Sequence, residues 1–465
     1  MGLASIFLFS QQTKPSHSLE ATLNALEKDS AFQQGYFAFS LRNAKTGKIL
    51  AERNAQKLLQ VASCLKLFST ATALEILGKD FTFQTQIAYT GQIEAGTLNG
   101  NLYIIGGGDP TLGSSDWKGK MNAQELLEHW TNIVAKQGIK KINGGVIAYN
   151  GHFGDYTLPR GWIWEDIGNY YGSDVYGLNF NENEYILYLQ PSKKIDEPAQ
   201  VLRTEPELPF LQFEGKILTA PKGTGDNAYI FGCSTENVRF LEGSIPQAET
   251  FAIKGALPNP PLTTAYFLHQ ALQKKGISIS QAPQVSKKSI EWKVLDTYKS
   301  PTLAQIIEQT NTYSINLYAE ALYRQINKEK KTNLLEFWQK KGLNIDDKNI
   351  EDGSGLSHKN FVSAHQLTQL LSEMALSPHR EIFEKSLPLA AQTGTMVNWG
   401  KNTLLQGNVR AKTGSMSGVI ALAGYCKAAN GEILCFSLVA NRYKGKYSSI
   451  RSLFEKVLIE VAKYK

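Results

Sequence analysis

The sequence predicts an α/β protein of the α+β kind: an antiparallel sheet built from both chain ends, covered by helices and interrupted by a long β-rich insertion. Three observations lead there. Strand-like hairpins occur near residue 40 and near residue 430, amphipathic helical patterns lie beside them, and the texture of the chain changes between residues 86 and 289. With 465 residues, 42% apolar and 20% charged, the chain can bury more than one core, so two or three domains are expected. The divisions read as a signal-like segment 1–12, a sheet-and-helix domain from 13–85 plus 290–465, and an inserted β-rich region 86–289 of one or two domains.

In chain order, the apolar run Leu3, Ala4, Ile6, Phe7, Leu8 and Phe9 reads as the tail of a secretory signal. No Lys or Arg precedes it, so the true start is expected upstream. Residues 35–53 alternate apolar and polar on either side of Asn43–Gly47, a hairpin pattern. Leu67, Ala71 and Leu74 mark a helix that stops near Gly78. Inside the insertion, helical patterns are few and Gly106–Pro110 and Leu257–Pro261 punctuate short strands. A helical run follows Ser314, carried by Leu317, Ala321 and Leu322. Val419–Lys427 and Ile433–Asn441 form the best hairpin, joined through Asn430 and Gly431. Ile450, Leu453, Phe454, Val457, Leu458 and Val461 give a terminal amphipathic helix.

The net charge of +7 is spread along the chain, which argues against a nucleic-acid footprint and suits an anionic polymer. Cys64, Cys233, Cys426 and Cys435 lack metal or redox spacing, and we expect free, buried thiols; Cys426 and Cys435 flank the hairpin turn and can come close. The His residues are scattered. No metal and no cofactor is implied, and no stretch after the N-terminus has the length of a membrane-spanning helix.

The chemistry lies in three short steps. Ser63 and Lys66 are three apart at a helix start, which puts the amine over the hydroxyl; a lysine with a lowered pKa can take a serine's proton. Alone this means little, because about two chance copies are expected in a chain this long, and Ser115–Lys118 is one, in a Gly-rich loop. Ser314 and Asn316 follow an Asn- and Thr-rich turn, where Ser314 can relay a proton and Asn316 can hold an amide, or either can simply cap the helix. Lys412, Thr413 and Gly414 precede a strand and can line a sheet edge, the first two for a carboxylate and the third for close backbone approach. Lys45–Gly47 repeats that triplet at a hairpin turn, where glycine serves geometry alone. The order Ser-x-x-Lys, Ser-x-Asn, Lys-Thr-Gly, each on the element its chemistry needs, is the set used by β-lactamases and penicillin-binding proteins.

From about residue 20 onward the chain resembles the class C low-molecular-mass penicillin-binding proteins, D-alanyl-D-alanine carboxypeptidases and endopeptidases. Besides the three steps, the likeness covers Gly106–Leu112, Pro159–Trp162 through Leu178–Asn183, Asp352–Ser357, Leu387–Ala390 with Gly394 and Thr395, and Val409–Tyr425. The resemblance implies a serine β-lactamase/DD-peptidase-like catalytic domain with a long insert, acting outside the cytoplasm, in the periplasm, on peptidoglycan stem peptides and cross-links. It gives Ser63 the role of acylated nucleophile, Lys66 that of base and Ser314 that of proton relay. It assigns Asn316 to the substrate amide, Lys412 and Thr413 to the terminal carboxylate, and the N–H groups of Ser63 and Ser415 to the oxyanion; Gly414 and Met416 match the pattern. β-Lactam antibiotics would enter the same route and stall as acyl-enzymes.

The chain departs from the family pattern at Val61, Cys64, His358 and Tyr149–Asn150. The last two places are associated with the free side-chain end of the stem peptide, so specificity there stays open, as does the oligomeric state. A silent wall-binding protein and a β-lactamase or esterase are the rival readings. The full set of reacting side chains opposes the first and the long insertion the second.

Overall fold

The computed structural model describes residues 17–154, 158–328, 333–345 and 349–465; the signal-like segment 1–12 lies outside them. A five-stranded sheet runs in the order Val409–Met416, Val419–Lys427, Ile433–Asn441, Tyr36–Asn43, Ile49–Arg53, and every neighbouring pair is antiparallel. Both chain ends therefore meet in one sheet. Its central strand is buried on both faces, so apolar residues fill both phases of the period-two pattern. Leu434, Phe436, Leu438 and Ala440 share a core with Ile450, Phe454, Val457, Leu458 and Val461 of the terminal helix Tyr447–Ala462. Cys435 and Val439 share another with Leu67, Phe68, Ala71 and Leu74 of helix Lys66–Leu77, and with Leu367, Leu370 and Leu371 of helix Ala364–Leu376.

The same alternation separates two cysteines. The register pairs Cys426 with Leu434 and Tyr425 with Cys435, so Cys426 and Cys435 lie on opposite faces and in different cores. All four cysteines are free, and Cys64, Cys426 and Cys435 are buried. Cys233 departs from the expectation: it is only half-buried, in the turn between strands Asn227–Phe231 and Val238–Pro246. At Lys45–Gly47 the decoy triplet is a turn, with Asn43 Oδ1 accepting from Lys45 N at 3.0 Å and Thr46 N at 2.9 Å, and Gly47 at φ 69°.

The insertion is less purely β than its punctuation suggests. A second five-stranded sheet, in the order Gln284–Ser286, Val146–Tyr149, Leu102–Ile105, Gln84–Tyr89, Lys293–Lys299, packs under helices Ala123–Lys136 and Pro260–Lys274. Asn122 and Glu125 close the first helix in a capping box. Pro260 and Pro261 do not end structure; they fill the opening positions of the second helix, where a missing N–H costs nothing. A smaller β unit, with strands Glu184–Gln190, Gln200–Glu205 and Phe251–Ala256 beside a four-stranded sheet from residues 212–246, has its own core around Tyr185, Leu187, Ile230, Leu241 and Ile253. Gln84–Tyr89 pairs antiparallel with Lys293–Lys299, so the two ends of this stretch meet in one sheet.

Leu438→Ala should lower the unfolding free energy by about 3 kcal/mol, read from urea denaturation. Leu58→Ala, at a side chain that is 46% exposed, should stay within about 0.5 kcal/mol. Equal effects would show that the central strand is not the core described.

Candidate active site

Ser63 does not sit on the α-helix proper. Ala62–Leu65 forms a 3-10 turn, and Lys66 opens the helix Lys66–Leu77. In a 3-10 turn residues three apart eclipse, which brings Lys66 Nζ to 2.8 Å from Ser63 Oγ. Ala62 holds φ at 45°, a conformation few non-glycine residues adopt. Packing fixes it: every residue from Lys66 to Leu74 is buried, and a Cβ on Gly355 would stand 2.0 Å from the Ala62 carbonyl oxygen.

Lys66 is completely buried and has two further partners, donating to Asn316 Oδ1 at 2.6 Å and to the Ser354 carbonyl at 2.8 Å. Desolvation pushes its pKa well below the ordinary lysine value, and the nearby Lys412 charge adds to this; Asp352 and Glu320 oppose it. A neutral amine has two hydrogens and one lone pair. Two of its three partners can only accept, so the lone pair is left for the Ser63 hydroxyl.

Ser314 is the first of the two residues between helices Leu303–Tyr313 and Asn316–Lys328, in left-handed backbone at φ 65°. The Asn- and Thr-rich stretch before it is helix, not turn. Thr310 satisfies its hydroxyl on Ile306 O, and Asn311 donates to Ser386 Oγ and Thr70 Oγ1, which makes these polar residues tolerable in a buried helix. Ser314 is the C-cap residue of the first of these helices, and its Oγ accepts from Lys412 Nζ at 2.8 Å. Asn316 uses both amide ends, Oδ1 on Lys66 and Nδ2 on the Tyr171 carbonyl at 2.7 Å.

Strand Val409–Met416 is at the sheet edge: it pairs along its length with Val419–Lys427, and on its outer side its start is bridged by Leu389 at Arg410. Lys412 is fully buried, also donates to Thr413 O at 2.9 Å, and has its pKa pushed down to about 8 by burial. Thr413 Oγ1 donates to Thr395 Oγ1 at 2.8 Å. A Cβ on Gly414 would lie 2.3 Å from Val61 O and 3.1 Å from Ser63 N, so only glycine lets this edge lie against the serine turn. Ser415 is exposed beyond it, opposite Ile420, and Met416 is half-buried opposite Val419. Cys64, beside the serine, points inward and donates to Lys412 O at 3.2 Å. By contrast Ser115 and Lys118 are both exposed in a loop.

Sequence reasoning missed Glu320. It lies one turn after Asn316 on the same helix face, fully buried, and its Oε1 accepts from Gly353 N at 3.1 Å and Ser354 N at 2.7 Å. It thereby holds the loop whose carbonyl holds Lys66. Asp352 braces that loop from within, accepting from Gly355 N, Ser357 N, Asn360 Nδ2 and Trp162 Nε1. The spacing of four from Asn316 was the available signal. At the departures from pattern, Tyr149 packs against Trp292 and buried Asn150 accepts from Leu178 N, so both are spent inside the insertion; His358 is half-buried, its main chain bonded to Gly161 and Gln60.

The model of the D-Ala-D-Ala carboxypeptidase 3 (S13) family matches residues 19–456. The chain belongs to that family. A D-alanyl-D-alanine carboxypeptidase of Actinomadura sp. (strain R39) is 28% identical over 453 residues, covering 92% of this chain and 81% of the relative. The D-alanyl-D-alanine carboxypeptidase DacB of Haemophilus influenzae is 27% identical over 420 residues, covering 87% of this chain and 85% of its own. The crystal structure of penicillin binding protein 4 from Haemophilus influenzae superposes with a TM-score of 0.77 at 24% identity, over 95% of this chain and 97% of that one, and so shares the fold. The antiparallel sheet with helical cover is thus the S13 fold. Among the described residues no helix is long and apolar enough to cross a membrane.

Because the cleft of this S13 chain depends on a bare Gly414, Gly414→Ala should cut the rate of acylation by penicillin at least about 100-fold, the scale of losing one oxyanion donor. The check is acylation kinetics beside a melting curve. An unchanged rate in a folded variant would mean that the edge strand and the serine turn need not touch.

Proposed function

We propose that this S13 chain is a serine-type D-Ala-D-Ala carboxypeptidase and endopeptidase that cleaves the D-alanyl-D-alanine ends and cross-links of peptidoglycan stem peptides through an acyl-serine at Ser63. One observation carries this reading: the buried Lys66 amine stands 2.8 Å from Ser63 Oγ with its other two contacts on acceptors. A base so held takes the hydroxyl proton as Oγ attacks the carbonyl carbon of the penultimate D-alanine. The N–H groups of Ser63 and Ser415 receive the developing oxyanion.

Collapse of the tetrahedral adduct releases an amine, which needs a proton. Ser314, bonded to Lys412, relays it. Lys412 and Thr413 take the carboxylate of the departing D-alanine or cross-linked residue, and Asn316 meets a substrate amide while orienting Lys66. Water then repeats the sequence in reverse on the ester. Carboxypeptidase and endopeptidase action differ only in what the leaving amine carries. In a penicillin the leaving amine stays tethered, so hydrolysis stalls at the acyl-enzyme. A wall substrate locates the work outside the cytoplasm, in a periplasm where an outer membrane encloses one, and the apolar run Leu3–Phe9 supports export.

Intact mass after incubation with a fluorescent penicillin tests the reading. One adduct is expected per wild-type chain and none on Ser63→Ala; a folded wild type without adduct, or an adduct surviving Ser63→Ala, would sink it. Glu320 supplies a pH test. Burial, reinforced by Asp352, pushes its carboxyl up to about 7. Its anion stabilises protonated Lys66, so Glu320→Gln removes a charge that raises the Lys66 pKa. Lys66 then stays neutral to lower pH, and the acid limb of the acylation profile should move to lower pH. A limb that stays or moves upward would contradict Lys66 as the base.

A further inference from the structure

The segment from Arg160 to Gly172 straps the inserted strands to the cleft. One end is tied to the Asp352–His358 loop: Arg160 O accepts from Ser357 Oγ at 2.8 Å, Gly161 O from His358 N at 3.3 Å, and Trp162 Nε1 donates to Asp352 Oδ2 at 2.8 Å. The other end gives the Tyr171 carbonyl to Asn316. Between them the strap rests on the smaller β unit, where Asn169 Oδ1 accepts from Ile230 N at 3.1 Å and Gly168 O from Ala256 N at 2.9 Å.

What this junction turns outward is aromatic. Trp164 stacks on Phe231 with ring centroids 6.4 Å apart, and Tyr229 follows at 6.2 Å from Phe231. Phe240 is the cross-strand partner of Phe231 and shares its face. Tyr170 packs edge-on against Tyr171, and both line the same cavity of about 510 Å³ as Ser314 and Asn316. Trp164, Tyr170, Tyr229 and Phe240 are 51%, 48%, 44% and 44% exposed. Folding does not require them there. The intervening Ile230 and Leu241 already turn inward to the core of that unit, so the outer face carries apolar rings the core does not use.

The surroundings narrow the occupant. Glu165 and Asp166 follow Trp164 in the chain, and Glu242 is the cross-strand partner of Tyr229, while Lys254, 5.7 Å over the Tyr170 ring, is paired with Glu184. An acidic rim repels phosphate polymers. A chain of pyranose rings is neutral there: its C–H faces stack on aromatic rings and its hydroxyls donate to carboxylates. Such a chain is attached to the substrate itself, because a stem peptide extends only about 3.3–3.6 Å per residue from its sugar. The sugar therefore stays within a few residues' reach of the serine, and the rim borders the cleft through Tyr170 and Tyr171.

We propose that the aromatic lip formed by Trp164, Tyr170, Tyr229, Phe231 and Phe240 docks the glycan chain that carries the stem peptide, an inference that rests on the peptidase reading above. The test compares kcat/KM for cross-linked stem peptides with and without their disaccharides, in wild type and in Trp164→Ala/Tyr229→Ala, with penicillin acylation as the control of the catalytic site. Wild type should favour the sugar-bearing substrate by about tenfold; the double variant should lose that preference and keep its rates on sugar-free peptide and penicillin. Equal rates on both substrates in wild type, or a preference that survives in the variant, would overturn the proposal. Should the double variant not fold, binding of peptide-free glycan to wild type, followed by tryptophan fluorescence, decides: a saturable change supports the lip and its absence overturns it. Failure of wild-type penicillin acylation is a separate outcome and counts against the peptidase reading.

Discussion

An amine held wholly out of water, with two acceptors for its hydrogens and a serine hydroxyl for its lone pair, is the arrangement to which the rest of this molecule is fitted. Burial of Lys66 makes its charged form expensive, which is what lets a lysine serve as a base. The same burial would leave nothing to hold it without Ser354 O and Asn316 Oδ1, and these come from distant parts of the chain. Two buried carboxylates, Asp352 and Glu320, fix the loop that supplies one of them and temper the depression of the amine's pKa. Four ionisable groups at zero exposure, Lys66, Lys412, Asp352 and Glu320, are a poor way to stabilise a fold. They make sense as chemistry.

Bringing these groups together depends on side chains that are absent. Gly414 lets the edge strand touch the serine turn, and Gly355 lets the Asp352–Ser357 loop touch Ala62. The edge position matters as much. Past the bridge from Leu389 to Arg410, strand Val409–Met416 is paired on one side only, which leaves the outer edge of its second half open to an extended peptide. The cleft is therefore made by one sheet edge, one 3-10 turn and one helix junction, each held by a core that the substrate never meets.

The insertion joins this arrangement through the strap from Arg160 to Gly172. Its bonds to Asp352 and Asn316 make the smaller β unit a wall of the cleft rather than a separate appendage. Asn316 is thus braced by Lys66 from before the insertion and by Tyr171 from within it, and the exposed rings of Trp164 and Tyr229 continue from the same junction.

Local chemistry could be read along the chain. Short apolar runs ended by turn residues located the two hairpins of the catalytic sheet, because a strand buried on both faces is written as a nearly continuous apolar stretch. The three motif steps could be recognised because each needs its partners within three positions, and the decoys Ser115–Lys118 and Lys45–Gly47 could be set aside by their loop context. Where short-range pattern competed with long-range packing, reading failed. Ser63 fell on a 3-10 turn, Asn311 was helix because Thr70 and Ser386 satisfy it, and Pro260 opened a helix instead of ending a strand. The contacts that give Lys66 its character cross 250 positions to Asn316 and 288 to Ser354, and Glu320 acts only through that loop. No periodicity encodes such pairings. They exist because burial forces each polar atom to find a partner, and which partner is within reach is known only once the chain has packed.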